Sequence, residues 1–85
     1  MELKDQFEKA VADSKLLAQK PSNDILLQLY SLYKQATSGD VDAPPPSNPF
    51  DIVAAAKHQA WSALKGTQQD EAMRQYVALV EKLRS

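Results

Sequence analysis

Apolar positions recur along this chain with the spacing of helices rather than of strands. At about 100° per residue, the step set by roughly 3.6 residues per turn, Leu3, Phe7, Ala10, Val11, Ser14, Leu17 and Ala18 fall within one arc. That arc predicts an amphipathic helix from Leu3 to Ala18, with Glu8, Lys9 and Asp13 lying away from it. Pro21 disfavours helix at Lys20, and Ser22 can cap the next element through its hydroxyl. A second helix is expected from Ser22 to Ser38. Its apolar arc is wide: Leu32, Ile25, Ala36, Leu29, Tyr33, Leu26, Thr37 and Tyr30 follow in angular order, with Lys34 and Leu27 just beyond. Gln28, Ser31, Gln35 and Ser38 form the evident wet side. So broad a stripe could pack against two helices, or against one neighbour and a ligand. Gly39 suits the left-handed position that follows a helix.

A third helix is expected from Phe50 to Lys65, stopped by Gly66. A fourth runs from Thr67 to Arg84, with Asp70 and Glu71 suited to its first turn and Ala72, Met73, Tyr76, Val77, Leu79, Val80 and Leu83 on one face. Between the second and third lies DVDAPPPSNP, Asp40 to Pro49, the one linker of any length. Its proline run favours extended chain, so the helices it joins need not form a tight antiparallel hairpin. Four amphipathic helices and three connections make an all-α, antiparallel-type bundle the natural packing.

Composition narrows the function. At 85 residues, 1–85 reads as one small domain, near the lower limit for a core that folds without staples. The absence of cysteine removes disulfides and thiolate metal sites, and is compatible with a reducing compartment. A net charge of −1 argues against a general polyanion binder, so no nucleic-acid partner is expected and any anion site must be local. The longest purely apolar run, Ile52 to Ala56, is too short for a signal peptide or a membrane span.

The third helix carries an anomaly, because Lys57 falls among Trp61, Leu64, Val53 and Phe50. Burying an unpaired ammonium costs several kcal/mol, so either Lys57 snorkels to the rim or an anion meets it. Tyr30 and Lys34 are neighbours at i,i+4, a spacing that serves packing as readily as a site. The hydroxyl of Tyr76, central on an apolar face, needs either a backbone carbonyl or a ligand phosphate. Lys15, taken alone, reads as a solvated lysine. The one histidine, His58, has no nucleophile and orienting acid at recognisable spacing, and no phosphate loop or metal cluster is evident. No enzyme activity, cofactor or metal is expected.

The segment YSLYKQATSGD, Tyr30 to Asp40, resembles the most distinctive stretch of the acyl-CoA-binding proteins. The likeness continues through FEKAVADSKLLAQKP, AAKHQAWSALKGT and DEAMRQYVALVEKL, and so over nearly the whole chain. It implies a four-helix bundle with up-down-down-up order, for which the proline linker supplies the long crossover. The implied function is non-covalent binding of medium- to long-chain acyl-CoA thioesters by a cytoplasmic carrier and buffer, monomeric, without stable membrane insertion, in transient contact with acyl-CoA-using enzymes. The ligand residues implied are Lys15, Tyr30, Ser31, Leu32, Tyr33, Lys34, Lys57 and Tyr76, with Leu26 and Leu27 near the adenine or acyl chain. Tyr30, Lys34 and Lys57 would converge on the ribose 3′-phosphate. His58 stands where the family usually has tryptophan, and Val53 and Ala55 stand where many members carry lysines, which thins the basic ring. The rival expectation is a helical interaction module that has lost the ligand and docks a partner helix on its wide second-helix face.

Overall fold

The computed structural model describes residues 2–84, which contain four α-helices. These are α1 (Leu3–Ser14), α2 (Asn23–Ser38), α3 (Ile52–Ser62) and α4 (Gln69–Arg84). Helix α1 is a turn shorter than expected. The Lys15 N–H bonds to the Ala12 carbonyl and Leu16 to Asp13, tighter i−3 bonds that close the last turn, while Ser14 Oγ donates to the Val11 carbonyl at 2.7 Å. Lys15 is consequently the C-cap of α1, where its ammonium complements the negative end of the helix dipole. Ser22 caps α2, accepting from Ile25 N–H at 3.4 Å. Gly39 ends α2 at φ 81° and ψ −151°, a region that only glycine enters freely.

Helix α3 starts later than expected because Asp51 caps it, accepting from Ala54 N–H at 3.0 Å and leaving Phe50 in the preceding turn. It also ends earlier, at Ser62, where i−3 bonds from Leu64 to Trp61 and from Lys65 to Ser62 replace the helical ladder. Thr67 does not open α4. Its carbonyl accepts from Gln35 instead, and the Gln68 carbonyl takes the first helical bond, from Ala72.

Helices pack in the order α1, α4, α2, α3, with α3 packed against α2 alone among the described helices. Three contacts fix the directions. The Arg84 guanidinium meets Asp13 at 3.1 Å, so α1 and α4 run parallel with their C-terminal ends together. Gln35, late in α2, reaches the Thr67 carbonyl just before α4, so these two are antiparallel. Trp61 Nε1 donates to the Gly39 carbonyl at 2.9 Å, which pairs the C-terminal ends of α2 and α3 and makes them parallel. The result is the up-down-down-up bundle, and the extended linker is the crossover that two parallel consecutive helices require.

The core is Phe7 and Ala10 of α1, Leu29, Leu32 and Ala36 of α2, and Ala72, Tyr76 and Val80 of α4. Phe7 stacks on Tyr33 at a centroid distance of 6.0 Å and meets Tyr76 edge-on at 5.2 Å. Two positions expected on the wet side of α2 are buried: Ser31 and Gln35. The cause is that α2 lies between α4 and α3, so its narrow polar strip is covered too. Gln35 meets the desolvation with two donated bonds, to Asp40 Oδ1 at 2.9 Å and to the Thr67 carbonyl at 2.7 Å, though its Oε1 is left without a partner. Asp40 Oδ1 also accepts from Gly66 N–H at 2.8 Å. The end of α2 is thereby clamped to the turn between α3 and α4.

Candidate functional site

Because α3 is held to α2 at the Trp61 end, the opposite halves of the two helices form a cleft open to solvent. Asn23, Leu26, Leu27, Tyr30, Ile52, Val53, Ala56 and Lys57 line it, enclosing about 350 Å³. Leu26 and Tyr30 also line a second cleft of about 310 Å³ on the other side of α2, completed by Val11, Ser14, Lys15, Pro21, Leu29, Tyr33 and Tyr76. Two apolar hollows thus meet at Leu26 and Tyr30.

Lysines stand at both. Lys57 Nζ lies 5.1 Å from the centre of the Tyr30 ring, and Lys34 Nζ lies 4.9 Å from that of Trp61. Each cation therefore rests on an aromatic ring of the facing helix, an arrangement worth about 0.5–1 kcal/mol where water has access. Lys57 is exposed, so the apolar stripe around it in the sequence does not bury the ammonium. The expected cluster dissolves for the same reason: Phe50 and Val53 are exposed, and only Trp61 of α3 is buried. With α3 packed on α2 alone, most of its surface faces solvent or the cleft. Among the described residues no carboxylate pairs with Lys15, Lys34 or Lys57, the ion pairs being Arg74–Glu71 and Arg84–Asp13.

The structure brings together most residues named from the sequence. Lys15, Tyr30, Tyr33, Tyr76 and Leu26 line one cleft; Leu26, Leu27, Tyr30 and Lys57 line the other; Lys34 stands one turn beyond Tyr30 on α2. Ser31 and Leu32 line neither. Ser31 Oγ is spent on the Gln28 carbonyl at 3.0 Å, and Leu32 belongs to the core. Tyr76 borders the cleft, yet its hydroxyl donates to Ser14 Oγ at 3.2 Å, which joins α4 to α1. That partner is neither of the two that sequence reasoning offered.

His58 also has a place that periodicity gives no hint of. Its Nε2 lies 2.9 Å from the Ala43 carbonyl, which can only accept, so Nε2 donates, while Nδ1 lies 3.4 Å from Ser62 Oγ. The imidazole ties the proline linker to α3. Ile52 and Val53 were likewise absent from the expected ligand set, although both wall the cleft; their position at the open end of α3 depends on the clamp at the other end. Among the described residues no cluster of His, Asp and Glu fits a metal ion. No helix among them is long and apolar enough to cross a membrane.

Fold and site together define the class: an all-helical bundle whose parallel α2 and α3 enclose an apolar cleft flanked by unpaired cations. Residues 4–80 match the family model described as "Acyl CoA binding protein". The chain is 49% identical over 77 residues to the acyl-CoA-binding protein of Dictyostelium discoideum, covering 91% of this chain and 90% of that protein. It is 46% identical over 79 residues to enoyl-CoA delta isomerase 2 of Rattus norvegicus, where the match covers 93% of this chain but 20% of the enzyme. The crystal structure of Oryza sativa acyl-CoA-binding protein 2 superposes with a TM-score of 0.90 at 38% identity, over 96% of this chain and 90% of the other. The chain belongs to the acyl-CoA-binding protein family.

Proposed function

We propose that this protein binds medium- to long-chain acyl-CoA thioesters without chemistry and carries them in the cytoplasm between enzymes that make and use them. One observation carries the reading: Lys57, with no carboxylate partner, lies over Tyr30 at the edge of a 350 Å³ apolar cleft, with Lys34 on the neighbouring turn. A cation beside an apolar slot suits a ligand with an anionic head and a hydrocarbon tail. In this reading Tyr30, Lys34 and Lys57 receive the 3′-phosphate, Lys15 and Tyr33 border the nucleotide, and Leu26, Leu27, Ile52 and Val53 contact the chain. A phosphomonoester carries about −1.5 to −2 charge at pH 7, and each charge-assisted hydrogen bond contributes roughly 1.5–3 kcal/mol. Tail burial adds up to ~0.8 kcal/mol per methylene before ordering costs.

No residue is assigned a catalytic role. The family is one of binding proteins, and the isomerase relative extends far beyond the segment it shares with this chain. Ser62 and His58 are neighbours, but the far side of the imidazole is held by a backbone carbonyl rather than an orienting acid. Incubation with palmitoyl-CoA should leave free thiol at the level of a protein-free control; steady release of CoA would make the protein a thioesterase. Native mass spectrometry of the purified protein tests the carrier reading, with an acyl-CoA adduct expected. Failure to form that adduct even with added palmitoyl-CoA would contradict it.

A further inference from the structure

The proline linker ends in a small structure of its own. Asn48 Oδ1 accepts from the Phe50 N–H at 2.9 Å, and the Asn48 carbonyl accepts from the Asp51 N–H at 3.1 Å. Residues 48–51 therefore form a hydrogen-bonded β-turn, with asparagine and proline at the positions where each is favoured. Among the described residues no non-glycine has a positive φ, so the turn is of type I rather than type II. The Ile52 N–H bonds to the Phe50 carbonyl at 3.1 Å around Asp51 at φ −85° and ψ 79°, an inverse γ-turn that leads into α3. Asn48, Pro49 and Asp51 are exposed, and Phe50 is 87% exposed. The two amide protons of Asn48 meet no partner among the described residues.

We propose that the Asn48-Pro49-Phe50 turn is a docking site for a protein module with a pocket shaped to such a turn. That pocket offers hydrogen-bond acceptors to the Asn48 carboxamide, an apolar slot to the Phe50 ring and a basic rim. Conformation, exposure and charge carry the assignment, more than the identity of three residues. The turn holds two free amide donors beside a phenyl ring, and burying such donors against lipid or a flat apolar surface would leave them unpaired at a cost. Because the turn is already formed, little ordering entropy opposes its capture. From Asp40 to Asp51 the chain holds three aspartates and no lysine or arginine, and Asp42 and Asp51 are exposed, so a basic rim is complementary. A second copy of the chain suits the turn poorly. Its patch amounts to at most a few hundred Å², well short of the ~800 Å² per partner that a stable dimer buries. The contact is thus that of a short recognition motif, weak and reversible. Neither Asn48 nor Phe50 lines either cleft, so the docking does not rest on the acyl-CoA reading.

EH domains, small helical modules whose pocket takes an Asn-Pro-Phe turn, supply the probe. Calorimetric titration of the protein with a recombinant EH domain of basic rim is expected to show one-to-one binding. The dissociation constant should be roughly 10 to 100 μM, in keeping with so small a contact, and should rise with salt. Asn48→Asp keeps the oxygen that accepts from the Phe50 N–H and removes both amide donors. It should weaken binding about ten-fold or more, although it adds an acid, with helicity and melting temperature unchanged. Phe50→Ala should lose a similar factor through the emptied slot. Palmitoyl-CoA affinity should match the wild type in both variants. Absence of wild-type binding up to about 1 mM, or equal binding by Asn48→Asp, would overturn the proposal. So would light scattering that shows a dimer dispersed by Phe50→Ala, or flotation with phosphatidylcholine vesicles that needs Phe50 while the EH domain fails to bind. Loss of palmitoyl-CoA affinity in every form, with EH-domain binding intact, would sink the ligand reading and leave the docking turn standing.

Discussion

Lys57 and Lys34 are the residues at which structure and proposed function separate most cleanly. Each makes a cation–π contact across the α2–α3 seam and neither pairs with a carboxylate, so their removal should matter more to an anionic ligand than to the fold. Lys57→Ala and Lys34→Ala are each expected to weaken palmitoyl-CoA binding by about 10- to 150-fold, the equivalent of one charged hydrogen bond, measured by calorimetry. Melting temperatures should fall by about 2–8 °C, in keeping with about 0.5–1 kcal/mol for the lost ring contact. Tyr76 behaves in the opposite sense. Its hydroxyl is committed to Ser14, so Tyr76→Phe should cost about 1 kcal/mol of stability, or ~4–8 °C in a chain this size, with ligand affinity nearly unchanged. A Tyr76→Phe protein that melts like the wild type but binds more weakly would move that hydroxyl to the ligand.

At the level of elements, the clamp at the end of α2 decides where α3 stands and so how wide the cleft opens. Its centre is Asp40, whose carboxyl is held below its ordinary value of 3.8, first by the Gly66 N–H, then by the Gln35 amide, with Lys65 adding to both. A carboxyl with a depressed folded-state pKa contributes stability that is complete above the unfolded value and is lost as pH falls through the folded one. Thermal melts from pH 6 downward should therefore show an acid-side loss below about 3.8 that is smaller in Asp40→Asn than in the wild type; superimposable profiles would remove Asp40 from the clamp. Gln35→Ala, which strands the Thr67 carbonyl, should cost about 1–3 kcal/mol by chemical denaturation. None of this clamp was legible in the sequence. Periodicity assigns a face to Gln35 and Ser31, but what covers that face depends on helices distant along the chain, and α3 covers it. The same blindness misplaced Phe50 and Val53: their spacing marks an apolar stripe, whereas burial needs a neighbour, and the open end of α3 has none.

Over the whole molecule, the order of elements was readable because apolar spacing, Pro21, Gly39 and Gly66 are local signals; the proline linker showed only that its helices need not form a tight hairpin, and the crossover was what the family resemblance implied. Helix ends were less readable, since the i−3 turns after Ser14 and Ser62 and the Asp51 cap arise from competing hydrogen bonds that periodicity does not weigh. Residues of the candidate site were named through the family resemblance, Tyr30, Lys34 and Lys57 above all, but their geometry was not legible: the lysines pair across helices, each with the other helix's ring. Both clefts lie open to solvent in a bundle whose Cα envelope is 40 × 28 × 15 Å. Affinity should accordingly be shared between a phosphate-binding end and an apolar floor, and neither half of the ligand alone should bind well. Calorimetric titration with palmitoyl-CoA, CoA and palmitate tests that division most directly. The expected result is palmitoyl-CoA binding with a dissociation constant below about 1 μM, equivalent to roughly −8 kcal/mol, with CoA and palmitate each weaker by two orders of magnitude or more. Palmitoyl-CoA binding no tighter than about millimolar, or palmitate binding as well as its CoA ester, would contradict it.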